Sequence, residues 1–314
     1  MTASSALRQL EAPSVPTKDT APNDPRLARW LAANALTDRT RVALVGFPSD
    51  EGIRRNRGRP GAAAGPAALR KALYAMTPAA RQPEAFIELV ERTVDLGDVP
   101  VTGKLEADQA LLGEVVGELL ERGIVPIVLG GGHETAYGHF LGYVESRQLD
   151  GIGVLNWDAH ADVRPLRDGQ AHSGSPFRQM LDHPSGLCER YTVAGLHPWR
   201  VSAAHVAAVR ERGEAVFADE LTADRARQLV AELDQPTLVT FDLDALDAAP
   251  GVSAPGVGGL AVDVWLAAAE ACGRSQHVRS VDLVELNPSF DIGNRSATLA
   301  ALTVWHVLAG LAKR

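Results

Sequence analysis

Three short stretches of this 314-residue chain concentrate acids and imidazoles. LGGGHE places His133 behind three glycines. LNWDAHAD carries Asp158, His160 and Asp162, and TFDLDALD carries Asp242, Asp244 and Asp247. Each stretch follows or closes an apolar run, as at the end of a buried strand. Extended backbone alternates faces with period two. That alternation puts Asp158, His160 and Asp162 on one face, and Asp242 and Asp244 on one face of theirs. Convergence of three neighbouring strand ends would gather four carboxylates (Asp158, Asp162, Asp242, Asp244) and two imidazoles (His133, His160). Carboxylates packed this closely repel unless a cation sits among them, and four negative charges match two divalent ions. Oxygen-rich ligands with some imidazole and no thiolate suit Mn²⁺ better than Zn²⁺, with Mg²⁺ and Fe²⁺ left open. Two ions sharing a water lower its pKa and supply hydroxide, so metal-assisted hydrolysis is the implied reaction class.

Taken singly, each piece has an ordinary explanation. A Gly-rich turn before HE can simply start a helix, and acids at strand ends often cap the next helix. The glycines match neither GxxxxGK[ST] nor GxGxxG. It is the combination of DxHxD, DxD and GGGH on three strand ends that argues against caps alone. His139, His183, His197, His205, His277 and His306 lack ligand-like spacing and read as core or surface residues.

The elements that must position these groups follow from the apolar pattern. Continuous Val/Ile/Leu runs predict strands at 41–47, 124–129, 153–157, 191–196, 215–218, 237–241 and 278–284. Helical spacing predicts helices at 66–76, 104–122, 201–211, 223–233, 262–272 and 299–311. Such alternation indicates a parallel sheet covered on both faces, hence one doubly wound α/β domain. Open parallel sheets carry their sites at the carboxyl ends of the strands. Residues 1–38, rich in Pro, Ala, Ser and Thr, read as an arm with one short helix near 27–33; residues 39–314 form the domain.

Charge and composition narrow the setting. The balance of 31 basic against 39 acidic residues, −8 in all, excludes a general electrostatic hold on nucleic acid. Two distant cysteines, Cys188 and Cys272, exclude a disulfide framework and a Cys-based zinc site. A reducing cytoplasm is the simplest expectation. The N-terminus has no basic start followed by an apolar stretch. The apolar run 298–312 is too short for a membrane span and reads as a buried closing helix, so a soluble protein with no membrane partner is expected.

Beyond these readings, GGGHE, DAHAD and TFDLDALD resemble the signatures of the ureohydrolases (arginase, agmatinase and formimidoylglutamase), and the resemblance runs from about residue 41 to the C-terminus. It implies an arginase-like three-layer α/β/α domain with a central, mostly parallel sheet and two Mn²⁺ per subunit. His133, Asp158, Asp162 and Asp242 would hold one ion. Asp158, His160, Asp242 and Asp244 would hold the other, with Asp158 and Asp242 bridging. Arginases and agmatinases usually show GGDH at the first motif. Here GGGHE, the loop DEGIRRNRGRPGAAAGPAALR at 50–70, HSGSPFRQ at 172–179, and DLVELNP with DIGNRSATLAA at 282–301 resemble the formimidoylglutamase branch. Trp157, Ala161 and His172 depart from that pattern and leave the substrate open.

The implied reaction is hydrolysis of N-formimidoyl-L-glutamate to L-glutamate and formamide, a step of histidine breakdown. Glu285, in VELNP, matches the glutamate that holds the guanidinium in arginase. His172 precedes Ser173, which stands where arginase has its proton-shuttling histidine, and is the candidate for that role. A glutamate-like substrate brings two carboxylates, which the planar fork of arginine binds bidentately. Arg54, Arg55, Arg57 and Arg59 crowd one loop and Arg178 lies in the PFR segment; Arg55 and Arg59 are the expected substrate contacts. Family members commonly form trimers or hexamers, so a homo-oligomer is implied. The alternatives are another guanidino substrate such as agmatine or arginine, and a metal-binding protein without catalysis. An agmatine-like cationic tail would call for acids rather than this arginine loop, and the related single-zinc deacetylases lack the full ligand set.

Overall fold

The structure, a computed structural model, describes residues 6–13 and 23–314. Eight strands form one sheet: β1 Val42–Phe47, β2 Thr93–Asp98, β3 Val125–Gly130, β4 Ile152–Trp157, β5 Cys188–Leu196, β6 Ala215–Phe217, β7 Thr237–Asp242 and β8 Val278–Val284. Their order is β2-β1-β3-β8-β7-β4-β5-β6, and neighbours pair in parallel throughout. Strands β1, β4 and β7 are buried at every residue, which is why they read as unbroken apolar runs.

Eleven helices are described: α1 Ala28–Leu31, α2 Glu51–Arg55, α3 Gly65–Tyr74, α4 Pro83–Val90, α5 Leu105–Glu121, α6 Thr135–Ser146, α7 Pro176–Leu181, α8 Ala203–Arg210, α9 Ala223–Ala231, α10 Val262–Arg274 and α11 Arg295–Leu311. Leu69, Leu229, Trp265 and Leu308 bring α3, α9, α10 and α11 into one apolar cluster. Val116, Phe140, Phe177 and Val209 bring α5, α6, α7 and α8 into a second. Helices therefore cover both faces of the sheet, giving three layers.

Strand β2 and helix α6 escape the apolar pattern for different reasons. TVDLGD interrupts its run with acids, yet Asp95 is buried: its Oδ2 accepts from Arg70 Nε at 2.8 Å and Tyr74 Oη at 3.0 Å. Helix α6 contains Gly138 and Gly142, which lower helix propensity but let it lie close to α5. A Cβ on Gly142 would stand 2.4 Å from Val116 Cγ1. The short helices α2 and α7 and the helix α4 were also absent from the periodic pattern.

The arm is not a separate appendage where it is described. Ala6 and Leu7 are buried, and Glu11 and Asp98 exchange two backbone hydrogen bonds, each 2.8 Å. This antiparallel bridge covers the β2 edge, which would otherwise present unpaired backbone groups. Leu27 and Leu31 are buried in the domain core, and Leu27 N donates to Met76 O at 2.8 Å. This part of the arm packs on the domain, and residues 1–5 and 14–22 of it lie outside the described residues. Cys188 and Cys272 are buried free thiols. Among the described residues, no helix is long and apolar enough to cross a membrane.

Candidate metal centre

The three motifs end β3, β4 and β7. Strands β4 and β7 are neighbours, but β8 stands between β7 and β3, so the motif-bearing ends are not all adjacent. The end of β8 closes that gap with Glu285. Strand alternation does not align the ligands either, since β4 stops at Trp157 and Asp244 lies in the 3₁₀ turn Leu243–Ala245. The spacing of two comes from a turn device used twice. Asp158 Oδ1 accepts from His160 N at 2.6 Å, and Asp242 Oδ1 accepts from Asp244 N at 2.8 Å. Each aspartate captures the N–H two residues on and keeps its second oxygen for the site.

In the first group that second oxygen meets imidazole. His133 Nδ1 stands 3.3 Å from Asp158 Oδ2, 3.2 Å from Asp162 Oδ2 and 3.1 Å from Asp242 Oδ2. His160 Nδ1 stands 3.0 Å from Asp244 Oδ2 and 3.5 Å from Asp158 Oδ1. Two groups of ligand atoms, each within 4.8 Å, result: His133, Asp158, Asp162 and Asp242, then Asp158, His160 and Asp244. Asp158 belongs to both; Asp242 belongs only to the first. Asp247 is outside them, on the surface, where its Oδ1 accepts from Gly258 N at 2.8 Å.

The donor atoms fit a cation. His133 Nε2 lies 3.0 Å from Thr240 Oγ1, whose hydroxyl donates to Asp282. Thr240 therefore accepts from Nε2–H, which leaves the Nδ1 lone pair among the three carboxylates. Both His133 Nδ1 and Asp244 Oδ1 are buried without a hydrogen-bond partner. Leaving such acceptors unsatisfied is destabilising, and a divalent ion supplies what they lack. Oxygen and imidazole ligands without thiolate suit Mn²⁺.

Electrostatics point the same way. Burial opposes charge on His133, but the Asp158, Asp162 and Asp242 carboxylates outweigh it and raise its pKa well above the usual imidazole range. Burial likewise opposes charge on His160, yet Asp244 and Asp158 push it up to about 12. Burial and the neighbouring Asp244 and Asp158 raise Asp242. A divalent ion would compete with protons for these groups.

Groups behind the ligands fix their orientation. Asn156 Nδ2 donates to Asp158 Oδ2 at 2.9 Å and to Tyr191 Oη at 3.0 Å, and Tyr191 Oη donates to Ala161 O at 2.7 Å. His139 Nδ1 lies 2.7 Å from Asp282 Oδ2, which ties the buried His139 to the same network. Thr240, Asp282, Asn156 and Tyr191 were missed by the sequence reading. Their only signal was polarity inside otherwise apolar strands.

Glu285 and Asp162 have left-handed backbones, φ 69° and 45°. Non-glycine residues adopt that region at a cost, and such residues cluster at functional sites. Glu285 Oε1 accepts from His133 N at 2.8 Å, while Glu285 N donates to Gly131 O at 2.7 Å. Burial lifts its carboxyl to about 7, with Asp244 adding to the shift. Glu134 is buried next to it, raised to about 8 by burial and by Glu285. Its Oε1 accepts from Gly52 N at 2.8 Å, which fastens the arginine-bearing loop to the GGGHE turn.

The other expected site residues have different surroundings. His172 is buried, with Nδ1 accepting from Gly174 N at 3.1 Å and Nε2 3.1 Å from Pro165 O. Burial lowers its pKa. Both ring nitrogens are held by backbone, a geometry for bracing the loop rather than carrying a proton. Arg55 pairs with Glu51 (Nε–Oε1, 3.0 Å) and with Glu106 (Nη1–Oε1, 2.5 Å), so its charge is already met. Arg59 Nε donates to Ser253 O at 3.2 Å, Nη2 donates to Val252 O, and the guanidinium lies 4.0 Å from the centre of the Phe290 ring.

This sheet, with its metal-ligand cluster at the carboxyl end, defines a metal-binding hydrolase of the arginase family; the Arginase family model matches residues 40–310, and the chain belongs to that family. Among its relatives are the formimidoylglutamases of Rhodococcus jostii, 41% identical over 84% of each chain, and of Nocardia farcinica, 42% identical over 84% of this chain and 85% of the relative. Among solved structures, Trypanosoma cruzi formiminoglutamase with Mn²⁺ superposes with a TM-score of 0.83 and 31% identity, covering 93% of this chain and 99% of that one. Bacillus subtilis arginase gives a TM-score of 0.70 at 26% identity, covering 86% and 98%.

Proposed function

We propose that this protein is a binuclear manganese hydrolase that converts N-formimidoyl-L-glutamate and water to L-glutamate and formamide, a step in histidine degradation. The observation that carries the reading is the pair of ligand groups sharing Asp158. The formimidoylglutamase relatives, about 40% identical across most of the chain, support the choice of substrate.

His133, Asp158, Asp162 and Asp242 would hold one ion, and Asp158, His160 and Asp244 would hold the other. When bound, the ions supply a water activated for attack on the amidine carbon. Glu285 has one oxygen fixed by His133 N–H; its carboxylate pairs with the cationic amidine and orients the carbon. Because the carboxyl is buried, that pairing is stronger than it would be in water. The C–N bond to the glutamate nitrogen breaks, and that nitrogen leaves protonated as the amine. His172 holds the 165–174 loop in shape, Glu51 and Glu106 hold Arg55, and the carbonyls of Val252 and Ser253 hold Arg59.

The test is turnover by Mn²⁺-loaded protein, following formamide and glutamate, with arginine, agmatine and guanidinobutyrate in parallel. Formimidoylglutamate alone is expected to react. Glu285→Gln should retain its metal by elemental analysis and lose about 100-fold or more in kcat/KM, the scale of losing one oriented electrostatic contact in a reacting site. Turnover of a guanidino compound instead would keep the metal site and overturn the substrate.

A further inference from the structure

Three of the arginines that stand out in the sequence are already paired with acids. Arg54 pairs with Asp50, Arg55 with Glu51 and Glu106, and Arg178 with Asp182. Two arginines on the loops that follow β4 and β5 are half-buried and in no ion pair with a described residue. Arg164 follows Asp162 by two residues. Its backbone N donates to Gly174 O at 3.0 Å, and its guanidinium makes one long contact, Nη1 to Asn56 Oδ1 at 3.4 Å. Gly174 leaves the room it occupies: a Cβ there would stand 3.2 Å from both Arg164 Cδ and Nη1. Arg200 lies on the loop after β5. Its Nη1 donates to Ala254 O at 2.9 Å, and Gly256 makes room for it, since a Cβ there would come within 2.7 Å of Nη1.

The two loops are joined at the site, because His197 N donates to Ala159 O at 3.0 Å. Asn56, which the Arg164 guanidinium meets, donates to Ser173 Oγ at 3.1 Å. Ala254, which Arg200 meets, lies two residues from Val252, and Val252 bridges Leu286 next to Glu285. A half-buried guanidinium with free donors and no acid is suited to a bidentate carboxylate.

We infer that Arg164 and Arg200 form a two-point clamp for a dicarboxylate tail, and so select dianionic amidines over cationic guanidines at this site. The inference rests on the hydrolase reading above for the position of the reacting carbon, but the clamp itself can be read without turnover. Mn²⁺-loaded wild type, Arg164→Gln, Arg200→Gln and the corresponding lysine variants are titrated calorimetrically with glutarate and with its monoamide, glutaramate. Wild type should bind glutarate more tightly than the monoamide by roughly tenfold, the scale of one charge-assisted pair. Each glutamine variant should lose roughly tenfold for glutarate, and the variant lacking the cation that faces the amidated end should no longer distinguish the two ligands. Lysine variants, which keep charge without the fork, should fall between. They also guard against a folding defect, which circular dichroism checks. The kinetic arm compares N-formimidoyl-L-glutamate with N-formimidoyl-L-glutamine: KM should rise in the variants with kcat little changed. Glutarate binding that is undetectable in wild type, or equal in wild type and both glutamine variants, overturns the clamp. Wild type that binds glutarate but hydrolyses no formimidoyl amino acid overturns the substrate reading and leaves the clamp standing.

Discussion

The metal-ligand loops and the arginine loop at 50–59 both looked functional in sequence, and the structure treats them in opposite ways. In the ligand loops the chemistry is set locally. Asp158 and Asp242 each bind the backbone N–H two residues ahead, so the motif itself brings its oxygen and its neighbour's side chain together. In the arginine loop the charges are set by remote residues. Glu106 neutralises Arg55 across 51 positions, and the carbonyls of Val252 and Ser253 hold Arg59 across more than 190. A dense run of charge in one stretch of sequence says little about which of them remains available, because their partners arrive from elsewhere in the fold.

Replacing a shared ligand should break the comparison at its strongest point. Asp158→Asn is expected to abolish turnover and lower the manganese content below that of wild type, read by elemental analysis and an activity assay; full metal content with full activity would remove Asp158 from the site. A smaller effect is expected one layer back. Thr240→Val keeps the side chain's volume but removes the acceptor for His133 Nε2–H. Orienting contacts of this kind are worth about 10- to 100-fold in metal affinity, so competition against a fluorescent chelator should show weaker Mn²⁺ binding with little change in secondary structure. Arg55→Ala should have the smallest effect. Its pairs with Glu51 and Glu106 are partly exposed, and such pairs contribute about 1 kcal/mol or less. A drop of a few degrees in Tm with KM within about twofold of wild type is expected; a large rise in KM would return Arg55 to the substrate pocket and blur the contrast.

The same division runs through the fold. The buried strands β1, β4 and β7 announce themselves by unbroken apolar runs, because both faces of a parallel strand meet helices. Strand β2 does not, since Asp95 is satisfied by Arg70 and Tyr74 from α3. Helix α6 does not, since its glycines serve the contact with α5 rather than its own propensity. The arm shows a helix where its sequence placed one, but composition gave no sign that Leu27 and Leu31 lie in the core.

By itself, the sequence determined the parallel α/β architecture and the six acids and imidazoles of the ligand cluster, because apolar continuity and i to i+2 turns are properties of short stretches of chain. Only the tertiary structure decided that β8 and Glu285 stand between two of the motifs. It also decided that both ring nitrogens of His172 meet backbone groups, and that Arg55 meets Glu51 and Glu106 while Arg164 and Arg200 meet no acid among the described residues. Those outcomes depend on burial and on partners distant in sequence, and no local pattern encodes either.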